Sequence, residues 1–158
     1  MSNKHTAVRS LLLGAFTGGR AATPLAALAF HHDDPALAGS WQQWAMFRSP
    51  IGRGVLVAAA IGELVGDKLP KTPARISPGG LVGRIGTGAL VGLAIGTTGP
   101  KNRALESAIL GGVGALLGSF AGYLARKAVG GVTGAPDAAV ALAEDATVIA
   151  GSVRVLRS

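Results

Sequence analysis

The sequence predicts an all-α fold: a polytopic bundle of about five Gly/Ala-rich membrane helices with a short interfacial helix, forming a single transmembrane domain over residues 1–158. Three observations carry this reading. Of 158 residues, 49% are hydrophobic, 15% charged and 4% aromatic, against roughly 25% charged in an average soluble domain. The mean hydropathy of +0.44 rests on Ala, Leu, Val and 25 Gly. Such residues fill a water-soluble core poorly but let helices approach closely where lipid covers the outside. Apolar runs recur five times, with most of the basic residues in the gaps between them.

The runs are 8–30, 51–65, 81–98, 104–125 and 138–156. A crossing helix needs about 20 residues, with a range near 17 to 25, so the first, fourth and fifth fit and the other two are short. Short segments broken by Gly read as tilted or partly unwound helices, which in transporters point to the binding site. Lys4 and Arg9 before Leu11, Leu12 and Leu13 resemble a signal peptide. Arg20 interrupts that segment, however, and the apolar pattern resumes through Phe30 and recurs.

Between the first two runs, Trp41, Trp44 and Phe47 follow one another at helical spacing. Because Trp prefers the headgroup level, residues 36–47 read as an amphipathic helix lying on the membrane surface. The next gap holds Pro70, Lys71, Pro73, Arg75 and Pro78 and reads as a rigid basic loop. With five crossings and the N-terminus inside, eight basic residues fall on the cytoplasmic side: Lys4, Arg9, Lys68, Lys71, Arg75, Arg84, Arg126 and Lys127. Six fall outside: Arg48, Arg53, Lys101, Arg103, Arg154 and Arg157. The sign predicts a multi-pass membrane protein with its N-terminus in and C-terminus out; so thin a bias also leaves a dual-topology dimer open.

Glycines recur at four-residue intervals: Gly14 and Gly18, Gly62 and Gly66, Gly88, Gly92 and Gly96, and Gly114, Gly118 and Gly122. Small residues four apart share a helix face and permit backbone contact. They serve packing within or between chains, or line a pore or lipid groove with bare backbone. Residues 14–18 resemble 114–118, and 58–63 resemble 139–144. With an odd number of spans between the copies, this is the plan of an inverted repeat.

A net charge of +7 and a pI near 10.9 would suggest nucleic acid in a soluble chain. Here the basic residues form no stripe with aromatics, so no nucleic-acid partner is expected. The absence of Cys excludes disulfides, thiolate metal sites and Cys nucleophiles. No nucleophile–base spacing, phosphate loop or dinucleotide fingerprint is present, so no enzyme and no cofactor is expected. His31, His32, Asp33 and Asp34 have metal-ligand side chains but read as a solvated loop, with no metal expected.

Ionisable residues inside apolar runs are the candidate site, because an intramembrane charge must find a partner or line a polar cavity. Arg20 falls near the middle of the first run, and Pro24, four residues on, removes the hydrogen bond to the Arg20 carbonyl and is expected to kink the helix. Glu63 and Asp67 share a helix face, with Lys68 rotated about 100° from Asp67. Two carboxylates so placed call for a cation from another helix, Arg20 or Arg84, or for a carboxylate that carries a proton. Alternatively, Asp67 and Lys68 end the helix at the headgroups and leave Glu63 alone inside. Glu144 and Asp145 lie in the fifth run, where at most one can face a given partner well. The repeat makes Glu144 the counterpart of Glu63; alternatively, that run is a surface helix with its acids in water.

The run Gly18-Gly19-Arg20-Ala21-Ala22-Thr23-Pro24, the motif Glu63-x-x-x-Asp67-Lys68-Leu69-Pro70, Pro73-x-Arg75, and Arg84 followed by Gly88-Ala89 resemble a domain-of-unknown-function family of small bacterial integral membrane proteins. The resemblance covers roughly half of the chain. It implies a membrane location and that these positions matter, and supplies no reaction. The expectation is a transporter-like or channel-like protein in contact with membrane lipid, homo-oligomeric or part of a larger membrane complex. Arg20, Glu63, Asp67, Lys68 and Glu144 would form a charged centre that couples to protons or cations. The alternative is a structural or accessory subunit using the same charges as interhelical pins.

Overall fold

The computed structural model describes residues 3–66, 77–98, 102–133 and 137–158. Asp67, Lys68 and the Pro70–Arg75 motif residues lie outside the described residues. Among the described residues the regular elements are helical: α1 (Asn3–Gly19), α2 (Thr23–Phe30), α3 (Ala45–Arg48), α4 (Pro50–Gly66), α5 (Pro78–Gly96), α6 (Ala104–Thr133) and α7 (Asp137–Arg157), with 3-10 turns at Pro35–Leu37 and Ser40–Gln43. Proline opens α4 and α5 and is the second residue of α2, positions where its missing N–H costs no helical bond. Helices α1, α4 and α5 stop at glycine. Among the described residues, two helical stretches are long and apolar enough to cross a membrane, Pro78–Gly96 and Ala104–Val129.

Glycine spacing explains the tightest packing. Helices α1 and α6 run side by side in the same direction: Gly14 meets the Gly111 carbonyl, Gly114 meets that of Leu11, Gly118 that of Ala15, and Gly18 that of Ala115. A Cβ at any of these positions would enter the opposing backbone. Helix α5 runs against α6, with Gly88 over Gly111 and Ala115, Gly92 over Ser107 and Gly96 over Arg103. The pair Gly62 and Gly66 behaves differently, since a Cβ at either would meet nothing within 4 Å.

The first apolar run is not one crossing. Arg20 pairs with Asp145, the Phe16 ring lies on Gly151, and Arg9 donates to the Ser158 carbonyl, so α1 is antiparallel to α7. At its far end α2 brings His31 to Arg157, whose Nε–H donates to His31 Nε2 at 3.4 Å; α2 therefore runs with α7 and against α1. The chain reverses at residues 20–22, and the kink expected from Pro24 is a full turn lying just before it. Because α1 goes out and α2 returns, α1 begins and α7 ends on the same face. That overturns the five-crossing arrangement with its termini on opposite sides, together with the count of basic residues by side.

The inverted repeat is overturned as well. Inversion requires α1 and α6 to be antiparallel, and they are parallel. Helices α4 and α7, the other matched pair, run in opposite directions, so no single rotation relates both pairs.

Residues 36–47 do not form a surface helix. The segment is two 3-10 turns and the single turn α3, interrupted by Gly39, whose extended backbone packs on Thr97. Trp41 and Phe47 are fully buried and meet edge to face at 4.9 Å between centroids. The Trp41 indole N–H donates to the Leu37 carbonyl at 2.7 Å, which removes its need for a wet interface. This aromatic plug packs with Leu13, Leu28, Ile95 and Leu156 on the face where α7 ends.

On α1 and α6 the distribution of polarity is inside out. On α1 the buried stripe is Thr6, Arg9, Ser10, Leu13, Thr17 and Arg20, while Val8 and Leu12 face outward. On α6 Leu105, Ile109, Val113, Leu117, Phe120 and Leu124 are exposed, and Ser107, Ala115 and Ser119 are buried. Buried hydroxyls donate to helix carbonyls, Thr17 to Gly14 at 2.7 Å and Ser119 to Ala115 at 2.8 Å, with a longer bond across the seam to Gly18 at 3.3 Å.

Candidate functional site

The reversal at residues 20–22 is the centre of the candidate site. Helix α1 closes with the Arg20 amide donating to the Phe16 carbonyl at 2.9 Å, and α2 opens with Ala26 donating to Ala22 at 3.0 Å. The amides of Ala21 and Ala22 therefore have no intrahelical acceptor, as at any helix N-terminus. Glu63 of α4 supplies one: Ala21 N–H donates to its Oε1 and Ala22 N–H to its Oε2, both at 2.8 Å. One carboxylate thus satisfies two adjacent amides in a fork, at the positive end of α2, where negative charge is favoured.

Arg20 turns the other way. Its side chain is fully buried and pairs with Asp145 of α7: Nε donates to Oδ1 at 2.7 Å and Nη2 donates to the same oxygen. Its Nη1 reaches the Glu63 carbonyl at 3.4 Å, at the outer limit of a hydrogen bond. A buried guanidinium and a buried carboxylate are tolerated only in such a geometry, because each alone would carry a large desolvation penalty.

Of the residues singled out from sequence, the structure brings Arg20 and Glu63 together and places Glu144 elsewhere. Glu144 pairs with Arg126 of α6 at 2.8 Å, at a crevice of about 450 Å³ between α1, α6 and α7. The acid that reaches Arg20 is its neighbour Asp145. A signal for this existed: the buried face of α7 is Ala141, Asp145, Val148, Ser152 and Leu156, a helical stripe that includes Asp145 and leaves out Glu144. Arg84 is buried on α5. Asp67 and Lys68 fall outside the described residues.

The His-Asp loop is a cap. His31 Nδ1 lies 2.9 Å from the Ala27 carbonyl, Asp34 Oδ1 accepts from Ala36 N–H at 2.9 Å, and His32 Nδ1 pairs with Asp33 at 2.7 Å. That last bond holds the exposed Asp33 carboxyl below its ordinary range. Among the described residues no group of three or more His, Asp or Glu is placed to hold a metal ion.

Inward polar stripes, outward apolar ones and an ion-paired reversal of the chain define a small helical protein built around a charged centre. The chain belongs to the family described as Domain of unknown function (DUF4126), which matches residues 8–157. No curated protein and no solved structure matches it.

Proposed function

We propose that the protein is a multi-pass protein of the bacterial inner membrane, transporter-like or channel-like, with Arg20, Glu63 and Asp145 as its polar centre. One observation carries this reading: the reversal at residues 20–22, with two backbone amides held by a carboxylate from another helix. Gly18 packs level with Ala115 and Ser119 of α6, and Ser119 lies about 15 Å of helix from Val129, the end of the apolar stretch. The turn is therefore at membrane depth. Non-helical backbone is tolerated there only where it is buried in protein or lines a water-filled cavity, and half-helix N-termini at that depth are features of transport sites. The inside-out polarity supports the lipid setting, because exposed apolar stripes on this scale mark a partner surface or a membrane. In this reading Glu63, held on the amides of Ala21 and Ala22 next to the Arg20–Asp145 pair, exchanges a proton or binds a cation as α4 and the α1–α2 turn part.

The test is flux in reconstituted vesicles with a proton-sensitive dye and alkali cations. Glu63→Gln is expected to lower flux by about tenfold or more while the protein still elutes as one assembled species. Unchanged flux overturns the reading. Loss of assembly instead supports a second reading, a structural or accessory subunit, which one observation favours: among the described residues, Gly62 of α4 and Gly79, Gly83 and Gly86 of α5 meet no atom within 4 Å of an added Cβ, leaving room for close approach of a second copy or another subunit.

A further inference from the structure

The crevice between α1, α6 and α7, about 450 Å³ in volume, is an apolar trough with a cation at its outer end. Its floor is Gly19 of α1, and its walls are Gly118, Ala121 and Ala125 of α6 and Ala143 and Val148 of α7. Small side chains keep the space open, and Ala121, Ala125 and Ala143 are exposed. From Gly118 to Val129 the trough follows α6 for about 16 Å. The cation is Arg126, one turn before Val129, where the apolar stretch of α6 ends, with Lys127 next in sequence. In the membrane setting that is headgroup depth, where a long basic side chain lays its stem along apolar surface and keeps its charge at the interface. Glu144 lines the same crevice and accepts from Arg126 Nη2 at 2.8 Å. That bond leaves most of the guanidinium unspent: among the described residues Nε has no hydrogen-bond partner, and 31% of the side chain is exposed. Nε and Nη2 share one edge of the guanidinium, so Glu144 holds by a single bond an edge that a bidentate acceptor would fill.

Resting on the membrane reading above, we propose that this crevice binds a glycerophospholipid with an anionic headgroup. One acyl chain lies along the trough, and the phosphate takes the Nε–Nη2 edge of Arg126, with Lys127 as the second cation and Glu144 as the competitor for that edge. The chain is there for a general reason: open apolar space at membrane depth faces a solvent of acyl chains, which fills it. Selectivity comes from the headgroup. The phosphate supplies two oxygens to the guanidinium, whereas the cation of a zwitterionic headgroup would be held against Arg126 and Lys127. The inner end of the trough lies beside the polar centre, since Gly19 precedes Arg20 and Val148 shares the buried stripe of α7 with Asp145.

The test uses the full chain purified in mild detergent, with lipid retention read by native mass spectrometry and by lipid-dependent thermal unfolding. Dioleoyl phosphatidylglycerol is the anionic probe, dioleoyl phosphatidylcholine the zwitterionic one, and glycerol 3-phosphate the phosphate without chains. Phosphatidylglycerol is expected to bind about tenfold tighter than phosphatidylcholine. The double change Arg126→Gln with Lys127→Gln should reduce that preference to about twofold or less while phosphatidylcholine binding stays unchanged. Glu144→Gln, which removes the competing carboxylate, should raise phosphatidylglycerol affinity by about three- to tenfold; a purely structural ion pair would lose stability with no gain in lipid affinity. Ala121→Phe fills the trough from an exposed position and should weaken both lipids by about tenfold. Helix content and elution are measured for every variant, and the Arg126 and Lys127 changes keep the test decisive where Ala121→Phe fails to fold. No preference in the unaltered protein, a preference that survives loss of both cations, or glycerol 3-phosphate competing as well as the lipid overturns the proposal. The membrane reading is judged separately, by whether the chain stays with the membrane fraction after alkaline extraction. An integral protein without lipid preference loses this site alone, whereas extraction into the soluble fraction removes the membrane setting and the site with it. Selective lipid retention by a protein without flux supports the site and removes the transporter.

Discussion

Arg20 is joined to Asp145 across 125 positions of sequence, and that ion pair can be tested apart from Glu63. Asp145→Asn removes a charge from a fully buried guanidinium and is expected to destabilise the protein by about 3 kcal/mol, near the low end for a broken buried pair, read by thermal unfolding in detergent. The double change Arg20→Met with Asp145→Leu should recover most of that stability, because an apolar pair of similar volume avoids the desolvation penalty. If flux exists and returns with the stability, Arg20 is a pin and not part of the transport centre. At this scale much was legible. Arg20 and Glu63 stand out because a charge in an apolar run is costly, and the structure brings both to one turn, where Arg20 reaches the Glu63 backbone carbonyl and the Glu63 carboxylate holds the amides of Ala21 and Ala22. The faint repeat favours Glu144, whereas the buried stripe of α7 contains its neighbour Asp145.

Among the elements, four of the five apolar runs became single helices while the first split into α1 and α2, and the glycine spacing marked the α1–α6 and α5–α6 seams. Gly118→Val is expected to cost about 1–3 kcal/mol by overpacking, since its Cβ would enter the backbone of Ala15. Gly62→Ala meets open space and should be neutral or stabilising by about 0.4–1 kcal/mol. Equal losses for the two changes would show that the outward face of α4 is packed as tightly as the seam, against a second copy. The reversal between α1 and α2 was not legible, for a physical reason. The apolar run continues on both sides of Arg20, and the turn depends on Glu63, 42 and 41 positions beyond the two amides it holds. Local sequence offers only Gly18, Gly19 and Pro24, which also suit a kink. The aromatic segment misled in the same way: Trp41, Trp44 and Phe47 have helical spacing, but Gly39 and the buried indole bond fix a plug instead.

For the whole molecule, the returning α2 decides the topology. The chain lacks cysteine, so single substitutions give an unambiguous labelling experiment in sealed vesicles. Lys4→Cys and Arg157→Cys should react from one side and Lys127→Cys from the other; labelling of the first two from opposite sides would restore the five-crossing arrangement. The same geometry bears on biogenesis. A hairpin of α1 and α2 leaves the ribosome with two bare amides at its tip and an uncompensated arginine beside them, and cannot rest stably in hydrocarbon in that condition. Its carboxylate arrives with α4 and its counter-ion only with α7, 125 positions after Arg20. In the membrane setting proposed above, insertion of the first segment is therefore deferred, assisted or reversible until α7 is made, and chains truncated before Asp145 should be the ones that membrane proteases remove.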